Sequence, residues 1–168
     1  QAHQAVVFIS IDMGGGYGSA CTGTLITEDV VLTAGHCADG GDPSKLSVYF
    51  GNSDSNFYAM REVSDIELHP YYSSSSGSIS NDIAMLRLSQ DAPSNVTPIP
   101  PLPASSAIVQ ADMNTTPLTY VGFGLTETQS SGTKLTMTKP ASYVCGGSTA
   151  CNFEIGGVGY VQLSAGAF

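Results

Sequence analysis

Val30-Val31-Leu32-Thr33-Ala34-Gly35-His36-Cys37 is the stretch that decides how this chain is read. A short β-branched and aliphatic run enters a turn of small residues, and the turn delivers a histidine followed at once by a cysteine. Upstream, Cys21-Thr22-Gly23-Thr24-Leu25-Ile26 is a second such run. Thr27-Glu28-Asp29 between the two supplies turn residues, so the pair predicts a β-hairpin. Downstream, Asn81-Asp82-Ile83-Ala84-Met85-Leu86 places an aspartate at the mouth of another apolar strand.

The same texture extends outward in both directions. Residues 5–11 are β-branched and aromatic and end at Asp12, ahead of a loop expected at Gly14-Gly15-Gly16-Tyr17-Gly18. Leu46, Val48 and Phe50 alternate with Ser47 and Tyr49, a period of two that Gly51-Asn52 closes. Residues 61–68 form a further strand, ending at His69-Pro70, and Asp82, Ala84, Leu86 and Leu88 share one face. Residues 73–80, nearly all serine, are too polar for a core element and are expected to be mobile. Pro93, Pro98, Pro100, Pro101 and Pro103 cannot join a central strand, so they mark a boundary. Beyond it, residues 118–123, 134–138 and 158–163 read as strands. No useful helical period occurs. The expectation is an all-β chain: residues 1–90 as one unit, 91–103 as a Pro-rich linker, and 104–168 as part of a second unit.

Composition narrows the function. Five Lys and Arg against a net charge of −9 cannot build a phosphate-binding stripe, which excludes nucleic acid as a partner. No apolar run approaches the roughly 20 residues of a membrane span. The 19 Gly and 9 Pro suit short strands joined by tight turns. Cys21, Cys37, Cys145 and Cys151 permit three pairings. Neither adjacent pair has C-x-x-C spacing and no histidine lies near the second, so disulfides in an oxidising compartment are favoured over zinc. Gln1-Ala2-His3-Gln4 has no basic segment before its apolar run, so no signal peptide is visible. A secreted chain would then be a processed one.

Four segments in this order, 21–26, 30–37, 66–72 (Ile66-Glu67-Leu68-His69-Pro70-Tyr71-Tyr72) and 81–86, together resemble the trypsin/chymotrypsin family of serine endopeptidases in a bacterial-type version. Gly122-Phe123-Gly124 is similar to that family's aromatic-glycine segment early in its second barrel. The resemblance is denser before Pro93 than after it. It implies two antiparallel β-barrels with the active site between them, the second incomplete in this chain, and a secreted enzyme acting on polypeptides. It gives His36 and Asp82 catalytic roles and His69 none. With the hairpin, it implies a Cys21–Cys37 disulfide, which leaves Cys145 to pair with Cys151. No cofactor and no metal are implied. Asp54 and Glu62 flank a loop where some relatives bind calcium, but the acidic loop is shorter here.

The chemistry agrees with those roles. A serine hydroxyl needs a base to take its proton during attack. Imidazole is such a base, and a buried carboxylate fixes its tautomer. Asp82, opening an apolar strand, would be costly without a partner, and His36 is the partner expected. A disulfide closing sixteen residues would hold the histidine turn in place.

The nucleophile is missing from this stretch of sequence. In the Ser-His-Asp template His and Asp lie about 45 residues apart, and Asp and Ser about 93. His36 and Asp82 are 46 apart, which puts the serine at roughly position 175. No Gly-Asp-Ser-Gly-Gly occurs in the chain. Neither Ser148, followed by Thr149, nor Ser164, between Leu163 and Ala165, sits between the glycines that would let backbone N–H groups converge on an oxyanion, so both are rejected. The Ile-Val-Gly-Gly start of relatives, whose freed amino group orders the oxyanion site in zymogen activation, is absent as well. Two classes of function follow. One is an endopeptidase whose serine lies beyond Phe168, on a cleaved second chain, with an inactive precursor or a truncated chain as variants of the same reading. The other is an inactive protease-like binding or adhesion protein. His36 and Asp82 favour the first, because a dead relative has no chemical need for either.

Overall fold

The computed structural model describes residues 3–75, 78–103, 105, 117–126, 130–140, 152–154 and 160–162. Its main body is a closed antiparallel barrel of six strands: β1 (Val6–Gly14), β2 (Tyr17–Leu25), β3 (Val30–Thr33), β4 (Leu46–Gly51), β5 (Phe57–Leu68) and β8 (Ala84–Leu88). They follow the order β1-β2-β3-β8-β5-β4, and β4 pairs back with β1 to close the ring. β6 (Ser73–Ser75) and β7 (Ser78–Ser80) form a separate two-stranded ribbon.

Alternation explains what fills the barrel. Leu46, Val48 and Phe50 of β4 point inward, as do Ala84, Leu86 and Leu88 of β8, and Ile9, Leu25, Val31 and Leu86 are wholly buried. β1 departs from simple alternation because both of its faces are covered. Val7 and Ile9 join the barrel core, while Val6 and Phe8 form a second cluster with Phe123 outside it. That is why its sequence reads as a continuous apolar run.

Gly23 of β2 is closely packed inside the barrel. A Cβ there would lie 2.5 Å from Val31 Cγ1 and 2.8 Å from Ile9 Cδ1. Overpacking a filled core costs about 1–3 kcal/mol, so Gly23→Ala is expected to lower the denaturant midpoint by a corresponding amount. An unchanged midpoint would show that the barrel has slack at this layer.

Two segments expected as loops are paired. The β1–β2 hairpin runs past Asp12, with Ile11 opposite Ser19, Asp12 opposite Gly18 and Gly14 opposite Tyr17. Gly14, Gly15 and Gly16 take φ of +80°, +65° and +82°, which lets the chain reverse tightly. Within 73–80, Ser73 pairs with Ser80, Ser74 with Ile79 and Ser75 with Ser78, so the polar segment is an antiparallel ribbon and not the structureless loop expected.

After the proline segment, β9 (Pro117–Gly122) pairs with β10 (Leu135–Pro140), and β11 (Asn152–Glu154) pairs with β12 (Tyr160–Gln162). β11 was not foreseen from sequence. Gly35–Cys37 and Pro43–Lys45 are short 3-10 turns in the barrel's connections. Among the described residues, the later part is tied to the barrel through Phe123 and through the segment 132–134. The Phe8 and Phe123 rings meet edge to face at 5.5 Å, and the Phe123 N–H donates to Thr22 Oγ1 at 3.0 Å. The Asp54 N–H donates to Gly132 O and the Lys134 N–H to Asn52 O, both at 2.8 Å. Lys134 Nζ lies over the Phe123 ring and donates to His3 O, and burial holds its ammonium below the ordinary lysine range.

Candidate active site

His36 is the central residue of the Gly35–Cys37 turn, which β3 feeds directly. The turn is closed by the Cys37 N–H to Ala34 O and the Ala38 N–H to Gly35 O. It is anchored sideways by a disulfide from Cys37 to Cys21 of β2, with Cα atoms 6.2 Å apart. A crosslink of sixteen residues is worth about 3 kcal/mol in the chain-entropy account. Gly35 has no room for a side chain: a Cβ would lie 2.6 Å from Tyr72 Cδ2 and 3.2 Å from the Ile83 nitrogen.

Asp82 reaches the same place from the neighbouring strand. β8 pairs with β3, with Ala84 opposite Thr33, so the residues just ahead of β8 lie beside the turn that follows β3. Asn81 takes φ +50°, a left-handed conformation that Asn tolerates better than most residues, and its Nδ2 donates to Tyr71 O at 2.8 Å. That kink presents the Asp82 carboxylate to His36.

The contact is two-pronged. Asp82 Oδ2 lies 2.8 Å from His36 Nδ1, and Oδ1 accepts the His36 backbone N–H, also at 2.8 Å. Asp82 is only 5% exposed, so both oxygens find partners where water does not reach. A carboxylate can only accept, which puts the proton on Nδ1 and the lone pair of the neutral ring on Nε2. Nε2 lies 3.5 Å from Cys37 Sγ. A disulfide sulfur has no hydrogen to give, so this contact leaves the nitrogen free to take a proton. The imidazole is 51% exposed and lines a cleft of about 430 Å³, together with Thr22, Ile79, Phe123 and Gly124.

Cys21, His36 and Cys37 bring three potential ligand atoms within 4.8 Å of one another. Both sulfurs are spent in the disulfide, so neither offers the thiolate a zinc site requires. His69 is elsewhere: its ring accepts the Tyr71 N–H through Nδ1 and packs near the Tyr71 ring. Cys145, Cys151, Ser148 and Ser164 lie outside the described residues. Sequence reasoning missed Thr22 and the Gly35–Tyr72 contact as parts of the site. Only Gly35 carried a signal, as the glycine beside the histidine.

The sequence model described as Trypsin matches residues 1–157. The chain belongs to the trypsin family. Chymotrypsin-like elastase family member 1 of Macaca fascicularis is 35% identical over 118 residues, 68% of this chain and 43% of that protein. CLIP domain-containing serine protease HP8 of Bombyx mori is 32% identical over 146 residues, 76% of this chain and 39% of its own. The chain therefore spans less than half the length of these curated trypsin-family relatives. The solved structure "Structure of GrC" superposes with a TM-score of 0.67 at 22% identity, over 84% of this chain and 62% of that one. That likeness is one of fold, and it agrees with the all-β, barrel-based architecture of the trypsin family.

Proposed function

We propose that this chain carries the His–Asp half of a secreted serine endopeptidase that cleaves polypeptides by a Ser-His-Asp mechanism. The observation that carries the reading is the two-pronged seat of His36 on buried Asp82. It fixes the tautomer that leaves Nε2 basic and holds the ring against rotation. Nε2 takes the proton of the attacking serine hydroxyl as its oxygen bonds to the scissile carbonyl carbon. The imidazolium, stabilised by Asp82, then gives that proton to the leaving amine as the C–N bond breaks. Water hydrolyses the resulting acyl-enzyme by the same route in reverse.

In this reading residues 1–90 form the first barrel, 91–103 a linker and 104–168 part of a second barrel, with Cys145 joined to Cys151. The serine is supplied from sequence beyond Phe168, on the same polypeptide or on a second chain. Support comes from the lack of a Gly-Asp-Ser-Gly-Gly motif within the 168 residues and from the 46-residue His–Asp interval. The Cys21–Cys37 disulfide supports an oxidising, extracellular setting. The missing motif also favours a second reading, a protease-like binding or adhesion protein without activity.

A complementation assay separates the two. Residues 1–168 alone are expected to hydrolyse no peptide, and hydrolysis appears when the following segment is present, in one longer chain or co-purified. Hydrolysis by residues 1–168 alone would mean that the nucleophile has been misplaced. A longer chain that contains a serine motif and stays inert would favour the binding protein.

A further inference from the structure

Asp39, three residues past His36, offers one carboxylate oxygen to two donors from a distant part of the chain. Its Oδ2 accepts from Tyr72 Oη at 3.2 Å and from Ser74 Oγ at 3.0 Å. One donor leads to the backbone beneath His36 and the other to the cleft wall. The Tyr72 ring packs on Gly35, so closely that no Cβ fits between them, and so rests on the backbone that carries His36. Ser74 pairs across the β6–β7 ribbon with Ile79, and Ile79 lines the cleft with His36. Burial raises the Tyr72 phenol above its ordinary value, which keeps the hydroxyl protonated and donating.

The ribbon needs such a tether. Ser73, Ser74 and Ser75 are all exposed, so β6 buries no apolar face. Ile79 of β7 is the ribbon's one apolar residue and is half-buried, and a two-stranded ribbon with so little apolar surface is marginal in water.

We propose that Asp39 is a positioning residue for peptide binding: by holding Tyr72 and Ser74 at one oxygen it fastens the β6–β7 ribbon to the His36 turn and sets the cleft wall at Ile79. The proposal rests on the endopeptidase reading above. Asp39 touches no reacting atom. An extended peptide that reaches Ile79 meets a wall whose place depends on Asp39, whereas a single-residue ester reacts at His36 without reaching the ribbon.

The test uses the full-length protein. Asp39→Ala is expected to raise KM for an extended peptide amide about tenfold, the equivalent of one charge-assisted hydrogen bond. For a single-residue ester, kcat should stay within about twofold of wild type, as for a change that leaves the chemical step alone. Ser74→Ala should reproduce the KM rise and add nothing to Asp39→Ala, because both act through one contact. Asp39→Asn keeps an acceptor oxygen but loses the charge, and its KM should fall between those of Asp39→Ala and wild type. Independently of activity, Asp39→Ala should speed amide hydrogen exchange at Ser74 and Ile79 while the amides of β8 keep their protection. A wild-type protein that hydrolyses nothing would sink the endopeptidase reading, with the exchange data still reporting on the tether. Unchanged KM in both variants, additive effects of the two, or unchanged exchange in the ribbon would overturn the proposal itself.

Discussion

Asp82→Asn in the complete enzyme is expected to lower kcat by about 10⁴ at neutral pH, the loss seen in the Ser-His-Asp template, while the barrel stays folded. The direction follows from the second hydrogen bond of Asp82. Its Oδ1 accepts the His36 backbone N–H, and Oδ2 faces Nδ1. An asparagine can satisfy the backbone N–H only with its carbonyl oxygen, which turns its NH₂ toward Nδ1. Nδ1 must then be the acceptor, the ring proton moves to Nε2, and the base is lost. The opposite amide orientation would set NH₂ against the backbone N–H, donor facing donor. Steady-state kinetics with a thermal melt in parallel checks this: a fall in kcat with an unchanged melting temperature is the expected pair. Turnover close to wild type would remove Asp82 from the mechanism.

His36→Ala should be the more damaging change, with a loss in kcat of up to about 10⁶, the scale found when the base of such a unit is deleted. It removes the proton acceptor outright, whereas Asp82→Asn only misdirects it. It also leaves the buried carboxylate without its imidazole partner, which costs about 1–3 kcal/mol of stability. The two variants therefore differ in kind: Asp82→Asn loses rate and keeps stability, while His36→Ala loses both. The double variant should be no slower than His36→Ala alone, because without the imidazole Asp82 has nothing to orient. Multiplicative losses would mean that the two residues act separately.

How far the sequence reached depends on where side chains carry the structure. β4 and β8 were legible because one face of each is buried and the other is not, so Leu46, Val48 and Phe50, or Ala84, Leu86 and Leu88, appear at a period of two. The extension of the β1–β2 hairpin and the β6–β7 ribbon were not. Their residues are largely exposed on both faces, which leaves no hydrophobic pattern to read. β11, three residues long, is too short to show any period. The docking of Phe123 on Phe8 joins positions 115 residues apart, and only the β-run that is apolar on both faces hinted that β1 was covered outside.

At the site, the pairing of His36 with Asp82 could be read from motif and spacing, since an aspartate opening an apolar strand calls for a partner. The bond from Oδ1 to the His36 backbone could not, because it depends on the turn geometry and on the left-handed kink at Asn81. The Asp39 tether was equally hidden. Asp39, Tyr72 and Ser74 carry no spacing that relates them until the barrel brings their loops together.

The most direct test of the account is covalent labelling of the complete protein with a fluorophosphonate, followed by mapping of the modified peptide. The account predicts one labelled serine, located outside residues 1–168, and loss of that label in His36→Ala. Label on Ser148, Ser164 or any other serine of these 168 residues, or full labelling in the absence of the His36 imidazole, would contradict it.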